Sequence, residues 1–160
     1  MVTPPAPATD RRSCRILARR FLLAAALALL TSGPVLSSRL TLEGPVTHVR
    51  DGDTIVVSGV PVRLSGVTAD ELGTARGEAA ASFMRDMVRG EIVTCDLTGE
   101  TTHDRQVGRC SIDGEDLGIK LIAARLAGRC ARYDPDGFYR VPQQDAGPYS
   151  GLMPAYCIPR

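Results

Sequence analysis

Asp51-Gly52-Asp53-Thr54, followed by Val62-Arg63-Leu64-Ser65-Gly66-Val67 and then Asp70-Glu71, is the stretch on which the reading of this chain turns. Val60, Val62 and Leu64 share one face of a period-two pattern, and Pro61, Arg63 and Ser65 share the other. That alternation predicts a strand whose Arg63 points away from the apolar interior. A carboxylate at a glycine-containing turn can hold a hard cation, an arginine can grip a phosphate with its planar fork, and a second carboxylate can position or deprotonate water. All three types fall within one predicted hairpin, although Asp-Gly-Asp is also an ordinary turn sequence.

Around this stretch the pattern gives three strands, Val46 to Arg50, Thr54 to Val57 and Val60 to Leu64, with Ser58-Gly59 as a hairpin turn. Gly77 to Arg89 follows helical spacing, its stripe of Ala80, Phe83, Met84, Met87 and Val88 ending at Gly90. Ile92 to Leu97 and Val107 to Ile112 read as two further strands joined by the polar segment 98–106, with Asp113-Gly114 as a turn. Asp116 is placed to cap a second helix, Leu117 to Ala127, with Gly128 past its end. A short helical turn near Gln143 to Ala146 is the only element expected in a Pro- and Gly-rich tail. Five strands with a helix between the third and fourth predict an α+β, mainly β fold: a five-stranded Greek-key barrel of the OB type with two to three helices.

The 160 residues, 44% of them hydrophobic, suffice for one globular domain. Residues 1–38 read separately, because five arginines precede an apolar run from Phe21 to Leu30 and then Thr31-Ser32-Gly33-Pro34, the layout of a secretory signal peptide. An N-terminal membrane anchor over residues 21–36 is the alternative, but the run is short against the ~20 residues a span needs. The expected division is therefore a leader at 1–38, a domain at 39–133, and a tail at 134–160 pinned by a disulfide. Without the leader's five arginines and one aspartate, 14 basic and 17 acidic residues remain, a net charge of −3. That balance lacks the broad basic surface of a protein that holds long nucleic acid tightly.

Cys14 precedes the apolar run and leaves with the leader, so Cys95, Cys110, Cys130 and Cys157 remain, an even number in a chain bound for an oxidising compartment. Three pairings are possible in principle. Cys95 and Cys110 fall on two strands of one predicted hairpin, which leaves Cys130 to hold the tail through Cys157. Successive cysteines stand 15 or more positions apart, unlike the close pairs of a zinc site. His48 and His103 read as structural or solvated residues, and Tyr133, Phe138 and Tyr139 are equally suited to stacking on bases or packing on the barrel.

From about Gly44 to Tyr133 the chain resembles the thermonuclease (staphylococcal nuclease-like) family, through the Asp-Gly-Asp-Thr turn, the Arg63-to-Glu71 stretch and an arginine near the next hairpin. The resemblance implies that Asp53 is a calcium carboxylate, Arg63 a phosphate-gripping arginine and Glu71 the carboxylate that activates water. Counting back from Asp113-Gly114 selects Arg105 rather than Arg109 as the second arginine. Thr68 stands where the family places a second metal-binding aspartate and Asp70 where it places proline, so calcium would have Asp53, the Thr68 hydroxyl, the Ala69 carbonyl and Asp70 to draw on.

The implied function is an exported, calcium-dependent nuclease, periplasmic or extracellular, that hydrolyses phosphodiester bonds of single-stranded DNA or RNA without sugar specificity. A nuclease-like binding module with a disabled metal site is the alternative. No dedicated protein partner is implied; the chain reads as a monomer, with transient membrane association through the leader.

Overall fold

The period-two segments do become strands, and their order around the sheet decides what stands beside Arg63. The computed structural model describes residues 40–159, so the expected leader and its alternative as an anchor lie outside the described residues. Within them run β1 (Leu40–Val49), β2 (Thr54–Val57), β3 (Val60–Leu64), β4 (Val67–Ala69), α1 (Ala75–Met87), β5 (Ile92–Thr102), β6 (Arg105–Ile112), β7 (Glu115–Asp116), α2 (Leu117–Ala123), β8 (Ala127–Arg129) and α3 (Arg140–Ala146). Single 3-10 turns occupy Ala131–Tyr133 and Ala155–Cys157. The fold is α+β and mainly β. No helix among the described residues is long and apolar enough to cross a membrane.

Strands pair in the order β3-β2-β1-β5-β6-β7, and a parallel pairing of β3 with β6 closes the first five into a ring. Two of the hairpin turns show how they are set locally. Ser58 and Gly59 have φ of 48° and 84°, and Asp113 and Gly114 have φ of 51° and 81°, the sign that a two-residue type I′ turn requires at both positions. Inside the ring lie Ile55, Val57, Val62, Leu64 and Val93, closed off by Met84 from α1 and by Leu117, Leu121 and Ile122 from α2. Full burial of each such side chain contributes about 1.5–3 kcal/mol.

Two glycines let the chain come together around the Asp51–Asp53 turn and the start of α1 because they lack a side chain. A Cβ on Gly52 would sit 2.6 Å from Ala80 Cβ and 2.7 Å from Ala69 Cβ, so glycine lets the Asp51–Asp53 turn wedge between α1 and β4. A Cβ on Gly77 would lie 2.0 Å from the Glu71 carbonyl, so glycine also lets α1 begin against the end of that segment. Thr74 caps α1, accepting the Gly77 N–H at 2.9 Å, and Asp116 caps α2, accepting the Ile119 N–H at 2.9 Å.

Several elements differ from the sequence expectation. β1 begins at Leu40 rather than Val46, since Leu40 to Pro45 pair with β5 before the strand bends to meet β2. The expected connection 98–106 is the far end of a long β5–β6 hairpin, turned at His103 and Asp104 and shifted in register between Leu97 and Thr101. Its residues are polar because that end has little core to face. The second helix stops at Ala123 instead of Ala127: Arg125 takes φ of 59°, and Ala127–Arg129 instead pairs with β4.

Both disulfides form as the hairpin argument proposed, Cys95 with Cys110 and Cys130 with Cys157. Cys95 and Cys110 are direct partners across β5 and β6, with Cα atoms 4.0 Å apart. The tail is held by more than its disulfide. Tyr139 is 1% exposed, joins the core and donates its hydroxyl to Asp116 at 3.2 Å. Of the two roles open to Tyr139, this is the packing one, and burial raises its phenol well above the ordinary value.

A candidate phosphate-binding cleft

The Asp51–Thr54 turn is tied by its own backbone. Asp51 Oδ1 accepts the Asp53 N–H at 3.0 Å, and the Thr54 carbonyl accepts the Arg50 N–H at 2.9 Å. This turns the Asp53 side chain inward, where Oδ2 accepts the Ala69 N–H at 2.8 Å and Oδ1 accepts the Thr54 hydroxyl at 3.3 Å. Arg63, directly across from Thr54 in the β2–β3 register, lays Nη1 against Asp53 Oδ1 and donates from Nη2 to the Val67 carbonyl at 3.4 Å.

Arg105, at the start of β6, donates to Thr54 Oγ1 at 3.4 Å and to the Thr102 carbonyl at 3.5 Å. A chain of contacts therefore runs Arg63, Asp53, Thr54, Arg105. The two arginines reach the same place because β3 and β6 close the ring.

Burial pushes the Asp53 carboxyl up to about 6, against the opposing pull of Arg63 and the Ala69 N–H. Burial also works to lower the Arg63 guanidinium, but the charge and hydrogen bond of Asp53 outweigh it and the net direction is up. Both partners are charged at neutral pH.

Arg63 and Arg105 line a cleft of about 600 Å³ that Glu100, His103, Tyr133 and Tyr156 also line. The two tyrosine rings meet edge to face, centroids 6.5 Å apart at 63°. Tyr133 lies three residues after Cys130 and Tyr156 immediately before Cys157, so one disulfide brings both rings to the cleft.

The remaining expected site residues are placed otherwise. Thr68 is buried, paired with Gly128 across β4 and β8. Asp70 faces the tail: its Oδ1 accepts the Tyr149 hydroxyl and the Leu152 N–H, each at 2.8 Å, and its Oδ2 meets Arg76 Nε at 3.3 Å. Glu71 is exposed and its carboxylate has no partner among the described residues, but it does not line the cleft. Arg109 is engaged elsewhere, 2.7 Å from Asp136 and stacked over Phe138 at 4.5 Å. His48 is exposed on β1.

As arranged, these donors do not make a calcium site. Calcium takes six to eight oxygens, yet both Asp53 oxygens are engaged, Asp70 is committed to the tail and Thr68 is buried in the β4–β8 pairing. No group of three or more His, Cys, Asp or Glu side chains able to hold a metal occurs among the described residues.

Tyr156 lines the cleft without having been singled out in the sequence, and Thr54, read there only as part of the turn motif, links Asp53 to Arg105. Only the position of Tyr156 beside a cysteine paired near Tyr133 carried a usable signal. No protein-family model matches the chain, and no curated protein matches it.

Proposed function

We propose that this is an exported, nuclease-like protein of OB type that seats the phosphodiester backbone of single-stranded DNA or RNA in the Arg63–Arg105 cleft. The ring of five strands closed by a parallel β3–β6 pairing supports the OB reading, and the two disulfides support an oxidising, extracellular or periplasmic setting. The observation that carries the proposal is the meeting of two guanidinium groups, on neighbouring strands, in a cleft with an aromatic wall. Planar guanidinium forks recognise phosphate oxygens in pairs, and aromatic faces accept bases without demanding a sequence.

Hydrolysis of the bound strand is a second reading, favoured by the unpartnered, solvent-facing carboxylate of Glu71. Hydrolysis needs Glu71, which stands outside the cleft lining, to reach the bound strand and orient or deprotonate water, while Arg63 and Arg105 donate to phosphoryl oxygens as negative charge builds. Calcium is the cation that the resemblance to the thermonuclease family implies for this reading.

One experiment separates the two. The oxidised protein is incubated with single-stranded DNA and RNA across a calcium titration, beside a folded Glu71→Gln variant. Saturable binding without cleavage, unchanged in the variant, supports recognition alone. Calcium-dependent cleavage lost in Glu71→Gln establishes hydrolysis, and neither binding nor cleavage rejects both.

A further inference from the structure

Residues 147–159 lie against the β4–β8 pair as a strap held at two points. At one end the Tyr149 ring fills the space beside Gly128, where a Cβ would come within 2.6 Å of it, and its hydroxyl donates to Asp70. At the other, Cys157 is bonded to Cys130. Between these anchors the chain carries Tyr156 to the cleft that Arg63 and Arg105 line.

The three tail tyrosines differ in what surrounds them. Tyr139 is enclosed in the core, and Tyr149 spends its hydroxyl on Asp70. Tyr156 is 47% exposed, has no hydrogen-bond partner among the described residues, and lies close enough to Arg63 to act on its charge. A ring that served only packing would be enclosed as Tyr139 is. Tyr156 instead meets Tyr133 edge to face, stays half exposed and lines the cleft together with the two arginines.

We infer that Tyr156 is a ligand-contacting residue that stacks on a nucleobase of the strand held by Arg63 and Arg105, positioned by the Asp70 and Cys130 anchors of the strap. The inference rests on the phosphate-cleft reading and deepens it by dividing recognition into two parts: arginines for the backbone, and a tail-borne aromatic for the base. Base–aromatic stacking tolerates any sequence, so the implied ligand is a single strand with unpaired bases rather than a duplex.

The test measures binding of the oxidised full chain to labelled oligothymidylate and to an abasic strand of the same length. Tyr156→Ala should weaken oligothymidylate binding about tenfold and leave the abasic strand unaffected, while Tyr156→Phe should bind both as wild type does. The Cys130→Ser/Cys157→Ser double variant, folded by circular dichroism, should lose the same base-dependent part because the strap is freed at one anchor.

If that double variant does not fold, the Tyr156→Ala comparison alone decides. Equal binding of both strands by the wild type, or no effect of Tyr156→Ala, overturns the inference while leaving the phosphate cleft intact. Failure of the wild type to bind either strand overturns the cleft reading and the inference together.

Discussion

Arg63 and Asp53 form a buried ion pair at the wall of the cleft, their side chains 14% and 9% exposed. Asp53 is further held by Ala69 and Thr54, so the pair joins β3 to the turn before β2 and to β4. Removing one member strands a charge out of water. Arg63→Ala should therefore destabilise by about 3–5 kcal/mol, and the Arg63→Ala/Asp53→Ala double variant by less than the sum of the two single changes. Urea unfolding midpoints check this; additive effects would contradict it.

The same pair sets a pH dependence. Folded Asp53 titrates near 6 against an ordinary value of 3.8. A raised carboxyl contributes stability that is fully present below 3.8 and is lost as pH rises through 6. The stability of the wild type relative to Asp53→Asn should therefore fall between these limits, a comparison in which groups common to both proteins cancel. Protonating Asp53 also frees Arg63 from its counterion, so strand binding should strengthen as pH drops below 6, with a flatter profile in Asp53→Asn.

Calcium should leave the melting temperature unchanged at millimolar concentration, because Asp53 and Asp70 are already committed to other partners. A ligand that binds the folded state raises stability by mass action, so a rise of several degrees, abolished by chelator, would show that the site rearranges to accept the ion.

Asp70 should matter for the tail. Asp70→Ala removes the acceptor of Tyr149 and Leu152 and the partner of Arg76, and Tyr149→Phe removes only one of these bonds. The second change should cost about 1 kcal/mol and the first more, with faster proteolysis of residues 147–159. Equal protease resistance in Asp70→Ala would contradict the anchoring role.

The parts of this molecule legible in its sequence are those with a repeated physical demand. β3 alternates because one face is buried, and its turn with β2 carries Ser58-Gly59 because positive φ is required there. β4 and β8, at three residues each, are too short to show a period, and the polar end of the β5–β6 hairpin has no apolar face to announce it. In the site, counting back from Asp113-Gly114 led to Arg105, which does stand with Arg63. The commitment of Asp70 was not readable, because its partner Tyr149 lies 79 positions away and no local pattern connects them.

The central claim is that Arg63 and Arg105 together receive a phosphodiester, and Arg105 offers the cleaner test. Its contacts within the fold are two long hydrogen bonds, at 3.4 and 3.5 Å, so its loss should not disturb the structure. Fluorescence anisotropy of a labelled single strand, titrated with wild type, Arg105→Gln and Arg109→Gln at one fixed salt concentration, measures it directly. Arg105→Gln should weaken binding about tenfold or more, the loss of one charge-assisted hydrogen-bonding group, while Arg109→Gln should bind as wild type does because Arg109 faces Asp136 and Phe138. Equal affinities for Arg105→Gln and wild type, or equal losses in both variants, would contradict the account.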